Sequence, residues 1–368
     1  MGIKFNKIEP DYITAPGDSL KEIIKESRMT QEDIARRLGI TPKNLSNIVN
    51  NKANITSELA LKLEYVLDVP AKFWNNLTKN YEEFQEKEKH RFALKKNIEW
   101  LKNFNYLDLY KKGFVPKTRD KNERADNMLR FFGYSDIELM KQNMKGESLL
   151  DGAYKITTKQ GAIDEFALKA WIRAGDIEAK KIQVANFSKE KLKKTIPDIR
   201  KLALENDPSI FVPKLQKMMA DLGIAVVFVP ELKGCRVSGM TRWSQGKTKP
   251  IIELSLRYKT NDLLWFTLFH EIGHLILHDK TTFLTYQSSI NDVREVDADE
   301  WASNILIPTD AYIEFVNEGD FSKNRIISFA NEMGIHPGIV VGRLQRDKYV
   351  AYNNRQLSNL KIHYRWGE

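Results

Sequence analysis

Apolar residues recur at helical spacing over residues 20–67, which predicts a small bundle of short helices. Residues 30–50 contain two of these helical segments, separated by a short glycine turn. Thr30 and Thr41 are predicted to cap the two helices, and Pro42 takes the first position of the second helix, where proline is tolerated. Their buried faces are predicted to consist of Ile34, Ala35 and Leu38, then of Leu45, Ile48 and Val49.

The outward face of the second helix carries short hydrogen-bonding side chains, which a helix needs to read base edges in a major groove. We therefore expect a pseudo-palindromic operator DNA as a partner, bound by a homodimer. A helical hairpin that binds no ligand is the alternative interpretation. The candidate DNA-contacting residues are Gln31, Thr41, Lys43, Asn44, Ser46, Asn47 and Asn50.

The middle of the chain, residues 86–207, is predicted to be mainly helical. Its clearest buried stripe is formed by Ala167, Ala170, Trp171 and Ala174. Residues 91–200 contain 24 Lys and Arg against 15 Asp and Glu, an excess as large as the net charge of +9 of the whole chain. A solvated helical surface, attraction to phosphate and docking of an acidic partner are three interpretations of this excess.

The pattern changes after residue 207. A predicted amphipathic helix over 212–222 is followed by strands over 224–229, 237–243 and 251–256. A helix that is apolar on most of its surface follows over 263–277. The 237–243 strand is predicted to lie at the edge of the sheet, where an extended peptide could add as a further strand.

The 263–277 helix contains the sequence H-E-x-x-H, formed by His270, Glu271 and His274. Residues four apart share one helix face and lie about 6 Å apart along the axis, so both imidazoles can bind one metal ion. Glu271 is placed to take a proton from a metal-bound water, which makes it a candidate catalytic residue. A core helix with two hydrogen-bonded histidines is the alternative.

A third candidate ligand follows in the pair Glu295 and Asp299. A catalytic zinc takes three protein ligands and keeps a fourth position open. We expect Glu295 to complete a site for one Zn²⁺, and Asp299, one helical turn later, to hold a ligand histidine from outside the ligand shell. Asp297 is the rival third ligand, but only Glu295 forms the four-residue pair with Asp299.

His336 lies between Gly334-Ile335 and Pro337-Gly338, an unusual setting for a structural histidine. It is a candidate catalytic residue that would stabilise an oxyanion. Capping of a helix over 339–344 is the alternative.

Residues 266–278 resemble the active-site helix of the ImmA/IrrE family of metallopeptidases. Residues 295–308 resemble that family's second signature, in which a Glu completes the zinc site, with Trp301 where Phe is usual. The resemblance covers about residues 208–345. It implies a zincin-like α+β domain with a small sheet and a peptidase that cleaves a repressor in response to stress.

Residues 14–80 resemble the lambda-repressor-like helix-turn-helix family, and in particular antitoxins of the HigA type. Their Pro-Gly-x-x-Leu entry corresponds to Pro16-Gly17-Asp18-Ser19-Leu20. This resemblance implies binding to operator DNA, repression of the protein's own operon and neutralisation of a small toxin.

The chain has one cysteine, Cys235, so it forms no internal disulfide. It shows no apolar run typical of a signal peptide or a transmembrane helix. We expect a cytoplasmic protein that does not associate with a membrane.

These patterns predict a multidomain α+β protein with an N-terminal all-α helix-turn-helix bundle (1–85), a basic helical middle segment (86–207) and a C-terminal zincin-like peptidase domain (208–368). The predicted function is that of a DNA-binding, antitoxin-like regulator whose peptidase cleaves a repressor or another protein partner. The alternative is a non-enzymatic repressor with a structural or vestigial zinc site. Glu271 favours the enzyme, because a structural site does not need that residue.

Overall fold

The computed structural model of this 368-residue chain describes residues 13–146, 164–244, 248–257, 259–278, 283–285 and 293–367. The chain divides between Asn97 and Ile98 into two compact units. Most of the predicted middle segment therefore shares a unit with the sheet, and the three-domain division stays a prediction. Within the described residues, no helix has both the length and the apolar character that crossing a bilayer demands.

The N-terminal unit is a bundle of helices, as predicted. Thr30 Oγ1 accepts a hydrogen bond from Asp33 N, and Thr41 Oγ1 accepts one from Asn44 N, each at 3.2 Å. Both predicted caps are therefore confirmed. The described helices of this unit are α1 (Pro16–Glu26), α2 (Gln31–Leu38), α3 (Pro42–Val49), α4 (Ser57–Leu67) and α5 (Ala71–Asn97).

The apolar faces of these helices meet in one core, in which Leu20, Ile34, Leu45, Leu63 and Trp74 are completely buried. The start of α1 lies directly against the end of α3. There Gly17 N donates to Asn51 Oδ1 at 2.8 Å, and a side chain at position 17 would overlap the carbonyl of Ile48. Glycine is therefore required at this position for the two helices to pack.

The second unit begins with the helices of the middle segment. The predicted apolar stripe of α9 (Glu165–Lys180) is buried, and Trp171 Nε1 donates to Val229 O at 3.2 Å. Buried Arg242 Nη2 lies 3.0 Å from both Asp176 and Glu253, which ties α9 to the sheet. The helices described here are α6 (Tyr106–Lys111), α7 (Lys121–Phe132), α8 (Ile137–Gly146), α9 (Glu165–Lys180), α10 (Lys189–Lys201) and α11 (Pro208–Asp221), with 3₁₀ turns at Ile98–Asn103 and Leu202–Leu204.

The strands of the described sheet are β1 (Ala225–Phe228), β2 (Gly239–Trp243), β3 (Pro250–Leu254) and β4 (Phe283–Thr285). Their order in the sheet is β1-β3-β2-β4. Strand β1 runs parallel to β3, and β2 runs antiparallel to both β3 and β4. The prediction that the 237–243 strand forms the edge is wrong, because β4 pairs with its outer side.

The longest described helix of the second unit, α12 (Asn261–Leu277), lies at its centre. It packs against β2, α13 (Val293–Leu306) and α16 (Pro337–Arg346), and its side chains Trp265 and Phe269 are completely buried. This burial explains why its sequence is apolar on most sides. The described helices of this part are α12 (Asn261–Leu277), α13 (Val293–Leu306), α14 (Thr309–Glu318), α15 (Lys323–Met333), α16 (Pro337–Arg346) and α17 (Arg355–Ser358).

Candidate metal centre

The candidate site lies where α12 and α13 approach each other closely. Gly273 makes this approach possible, since a Cβ at this position would lie 3.2 Å from Trp301 Cε3 and 3.4 Å from Ala298 Cα. Both distances are close to the limit of van der Waals contact. The small residues Gly273 and Ala298 thus bring the two histidines of α12 within reach of the carboxylates on α13.

Three predicted ligands come together between these helices. His270 Nε2 lies 3.0 Å from His274 Nε2 and 3.1 Å from Glu295 Oε2, and His274 Nε2 lies 3.5 Å from Glu295 Oε1. All three side chains are buried. Behind the cluster, His270 Nδ1 donates to Asp299 Oδ1 at 2.7 Å. Asp297, the rival ligand, is exposed to solvent.

These donor atoms fit a tetrahedral zinc site. Zinc binds histidine nitrogen and carboxylate oxygen at about 2.0–2.2 Å, which separates neighbouring ligand atoms by about 3.3 Å in a tetrahedron. The distances of 3.0, 3.1 and 3.5 Å lie close to this value. The contact between His270 Nδ1 and Asp299 turns Nε2 toward the other donors, as a carboxylate partner does for a metal-binding histidine.

The charges of the cluster also favour a cation among its donors. Burial opposes a charge on His270, but the hydrogen bonds to Asp299 and Glu295 outweigh burial and raise its pKa to about 10. Burial lowers the pKa of His274 to about 4. Burial likewise opposes ionisation of Glu295, yet its hydrogen bonds to both histidines lower its pKa to about 2. The ionised carboxylate of Glu295 therefore favours a positive charge among the donor atoms, which a proton or a metal ion can supply.

Glu271 lies beside the cluster, between α12 and β2, and is completely buried. Thr241 Oγ1 donates to Glu271 O at 3.0 Å, which fixes β2 against the helix. A Cβ on Gly239 would lie only 2.6 Å from Glu271 Oε1. Gly239 thus leaves the space that the carboxylate occupies, a role for which the sequence pattern gave no signal.

His336 does not join the cluster. It caps α16, and its Nδ1 accepts from Gly338 N at 3.0 Å and lies 2.8 Å from Asn261 Nδ2. Asn261 precedes His270 on α12 by about 13 Å of helix rise. This position does not suit the oxyanion role expected for His336, whereas the capping alternative explains both contacts.

Two further side chains of metal-binding residue types, those of His278 and Cys235, have structural surroundings. His278 caps the end of α12, and its Nε2 donates to Arg294 O at 2.9 Å. Cys235 is buried, and burial raises its thiol pKa to about 12. A thiol with so high a pKa stays protonated and is a poor metal ligand.

The candidate DNA-contacting residues divide into two groups. Lys43 and Asn44 are exposed at the start of α3, Gln31 is exposed at the start of α2, and Asn47 is half-buried. The others take part in local hydrogen bonds: Thr41 caps α3, and Asn50 Nδ2 donates to Ser46 O at 2.7 Å and lies 3.3 Å from Ser46 Oγ.

Known families match both parts of the chain. Residues 20–74 match a helix-turn-helix family, and residues 220–345 match the IrrE N-terminal-like domain. The chain carries both domains. The helix-turn-helix domain spans α2 and α3, and the IrrE-like domain contains the sheet, His270, His274 and Glu295.

Two curated relatives are HTH-type transcriptional regulators. YddM of Escherichia coli is 34% identical over 62 residues, which cover 17% of this chain and 66% of that protein. A regulator of Haemophilus influenzae is 38% identical over 65 residues, which cover 17% of this chain and 61% of that protein. The chain thus spans less than two thirds of the length of each relative.

Solved structures similar to part of this chain include three small proteins. One is a putative antidote protein of a plasmid maintenance system from Nostoc punctiforme, with 19% identity, a TM-score of 0.22 and coverage of 23% of this chain and 92% of that chain. Antitoxin GraA has 28% identity, a TM-score of 0.20 and coverage of 21% and 84%. A HigA-family antidote protein from Coxiella burnetii has 27% identity, a TM-score of 0.19 and coverage of 24% and 90%.

Proposed function

We propose that this chain is a DNA-binding transcriptional regulator whose IrrE-like domain is a zinc metallopeptidase that cleaves a protein partner. One observation carries the proposal. Three buried donor atoms from His270, His274 and Glu295 lie 3.0–3.5 Å apart, with the carboxylate of Glu271 beside them. A structural metal site has no use for a buried carboxylate that is not one of its ligands.

The residues of the cluster have separate roles in this proposal. His270, His274 and Glu295 would hold the zinc ion, and Asp299 positions the His270 ring through Nδ1. When bound, zinc supplies Lewis acidity that polarises a peptide carbonyl and lowers the pKa of a coordinated water.

Glu271 is the general base. Its carboxylate would accept the proton of the attacking water and then deliver that proton to the amine that leaves. Gly239 keeps the space for the carboxylate, and the bond from Thr241 Oγ1 to Glu271 O holds the strand at the required distance. Because the Glu271 side chain is completely buried, it is shielded from bulk solvent.

The helix-turn-helix domain would bring this chemistry to an operator. Lys43 and Asn44 are exposed at the start of α3, the position from which a recognition helix contacts phosphates and bases. The curated relatives are named transcriptional regulators, which supports the same role. The proposed protein is a cytoplasmic homodimer on a pseudo-palindromic site, and its protein partner is a repressor or a small toxin.

The first prediction concerns the metal. Purified protein is expected to hold about one zinc per chain, because the cluster provides one three-ligand site. His270→Ala and Glu295→Ala should each remove the zinc, whereas Glu271→Gln should keep it. Mass spectrometry of the metal content measures the outcome.

Asp297→Ala is the matched control, because it removes an exposed carboxylate from the same helix. Zinc should remain fully bound in this variant. Full zinc occupancy in both ligand variants, or its loss in Asp297→Ala, would contradict the assignment.

The second prediction concerns catalysis. Glu271→Gln should lower cleavage of the physiological partner by about 10²–10⁴-fold, because the water loses its general base, while zinc content and folding are unchanged. Gly239→Ala should also lower cleavage, since the added Cβ would lie 2.6 Å from Glu271 Oε1. The measurement follows candidate repressors, and this protein itself, on immunoblots after DNA damage or phage challenge.

Identical protein fragments on the immunoblots of the wild-type and Glu271→Gln strains would exclude the proposed peptidase activity. In that case the zinc site would serve a regulator that is not an enzyme, and repression would be released without proteolysis.

The third prediction concerns DNA. Asn44→Ala should weaken operator binding by about 1–3 kcal/mol at particular base positions. Lys43→Ala should weaken binding to all sequences and reduce the salt dependence, because it removes a phosphate contact. Fluorescence anisotropy with operator variants at several salt concentrations measures both effects.

Lys72→Ala, on α5, is the control for the loss of one exposed positive charge in the same unit. It should change binding much less than Lys43→Ala. Wild-type affinity in both the Asn44 and Lys43 variants would exclude α3 as the recognition helix.

A further inference from the structure

A cavity lies in the second unit, separate from the cluster of metal ligands. It has a volume of about 560 Å³ and is enclosed by residues of α12, α13, α16 and the segment that follows α16. Small-molecule sites in proteins usually measure about 300–1,000 Å³. The cavity therefore has room for a metabolite and is larger than one amino-acid side chain requires.

The cavity approaches the metal centre from behind His270. Phe266, one turn before His270, lines the cavity, and its ring centroid lies 6.3 Å from that of His270. Ser303, one turn after Asp299, also lines it and donates to Asp299 O at 2.6 Å. Ser303 thus lies next to Asp299, the partner of His270 Nδ1, whereas the metal donors converge at Nε2. An occupant is thus displaced from the place where a peptide bond would be cleaved.

The inner wall of the cavity contains buried acceptors without partners. Asp262 Oδ2 accepts from Lys361 Nζ at 2.7 Å, but no described residue donates to Asp262 Oδ1. Gln345 is only 2% exposed, and its Oε1 likewise has no donor among the described residues. Buried acceptors without donors are costly, and a ligand with N–H groups would satisfy them.

Glycine at position 342 belongs to the same wall. A Cβ on Gly342 would overlap the carboxylate of Asp262. The chain therefore keeps space for this carboxylate in a part of the domain where catalysis does not require it.

The outer part of the cavity is cationic and aromatic. Its lining includes Arg343, Arg346 and Lys361. Lys361 pairs with Asp262, and the Nε atoms of both arginines lie 3.1 and 3.2 Å from the carboxylate of Asp347, so three positive charges face two negative ones. Arg343 Nη1 is buried without an acceptor in the described part of the chain. Tyr352, at the rim, is 71% exposed. These groups suit a flat ring that carries an anionic group.

We propose that this cavity is a binding site for a small nucleotide-like ligand, meaning a planar heterocycle with N–H donors joined to an anionic group. The heterocycle lies against the apolar wall and donates to Asp262 and Gln345, and the anionic group meets Arg343 and Arg346. Arg346 also donates to Ser303 Oγ at 2.9 Å and lies 4.8 Å from the Phe266 ring. A bound ligand thereby contacts the residues that pack behind His270 and Asp299, but its binding does not depend on peptidase activity.

Isothermal titration calorimetry of the full-length protein tests the site, with AMP and GMP as probes. At least one of the two should bind, the corresponding nucleoside should bind at least ten-fold more weakly, and inorganic phosphate alone should give no signal. Leu263→Trp fills the cavity and should weaken nucleotide binding at least ten-fold. Leu204→Trp is the matched control, because Leu204 is exposed outside the cavity, and it should bind as the wild type does.

Gln345→Met gives a second test that does not depend on filling the cavity. It removes one unsatisfied acceptor, so it should weaken nucleotide binding about ten-fold without lowering the thermal unfolding temperature of the free protein. If Leu263→Trp fails to fold, Gln345→Met tests the proposed binding site by itself. Absence of binding by both nucleotides at millimolar concentration, or wild-type affinity in Gln345→Met, overturns the proposal. So does a Leu263→Trp protein that binds nucleotides normally but changes the residue preferred at a cleavage site, since the cavity would then be a substrate subsite.

Discussion

The contact between α12 and α13 at Gly273 is the constraint on which the site depends. A Cβ there would already lie 3.2 Å from Trp301 and 3.4 Å from Ala298, so a larger residue would separate the helices. The donor atoms of His270, His274 and Glu295 lie 3.0–3.5 Å apart, and a zinc ion tolerates only a few tenths of an ångström in its ligand distances. The apolar surface of α12 also maintains this arrangement of donor atoms. Burial on nearly all sides fixes the rotation of the helix and therefore the direction of its histidines.

The organisation of the cluster shows how one helix pair could combine metal binding with the proposed catalysis. His270 uses both ring nitrogens, Nε2 toward the other donors and Nδ1 toward Asp299. Glu271 points to the neighbouring strand, where Gly239 leaves room for it. The cavity lies near the same histidine, because Phe266 lines it beside the His270 ring and Ser303 lines it and donates to Asp299 O. A ligand bound in this cavity would therefore contact residues that adjoin the metal centre.

Periodic features were the most accessible from sequence. The threonine caps of α2 and α3 and the buried stripe of α9 each follow from spacing along a single helix, and the structure shows them as expected. Spacing within α12 predicts His270 and His274 as ligands, and spacing within α13 predicts Glu295; the structure brings the three together. Features that depend on distant segments were missed. The prediction that β2 forms the edge of the sheet is wrong, because β4, which follows α12 in the chain, pairs with it. The neighbours of His336 in the sequence predict a catalytic role, but its side chain contacts Asn261. The roles of Gly239 and Gly342 require knowledge of which side chain lies opposite, and no local pattern contains that information.

X-ray absorption spectroscopy of the zinc-loaded protein tests the central claim most directly, because it reports the ligand atoms themselves. The predicted spectrum shows nitrogen and oxygen neighbours only, at about 2.0–2.2 Å, together with outer-shell scattering from two imidazoles. In His274→Ala this imidazole scattering should decrease. A sulfur neighbour at about 2.3 Å would place the metal at Cys235, and a spectrum without imidazole scattering would place it outside the α12–α13 cluster. Either result would contradict the account.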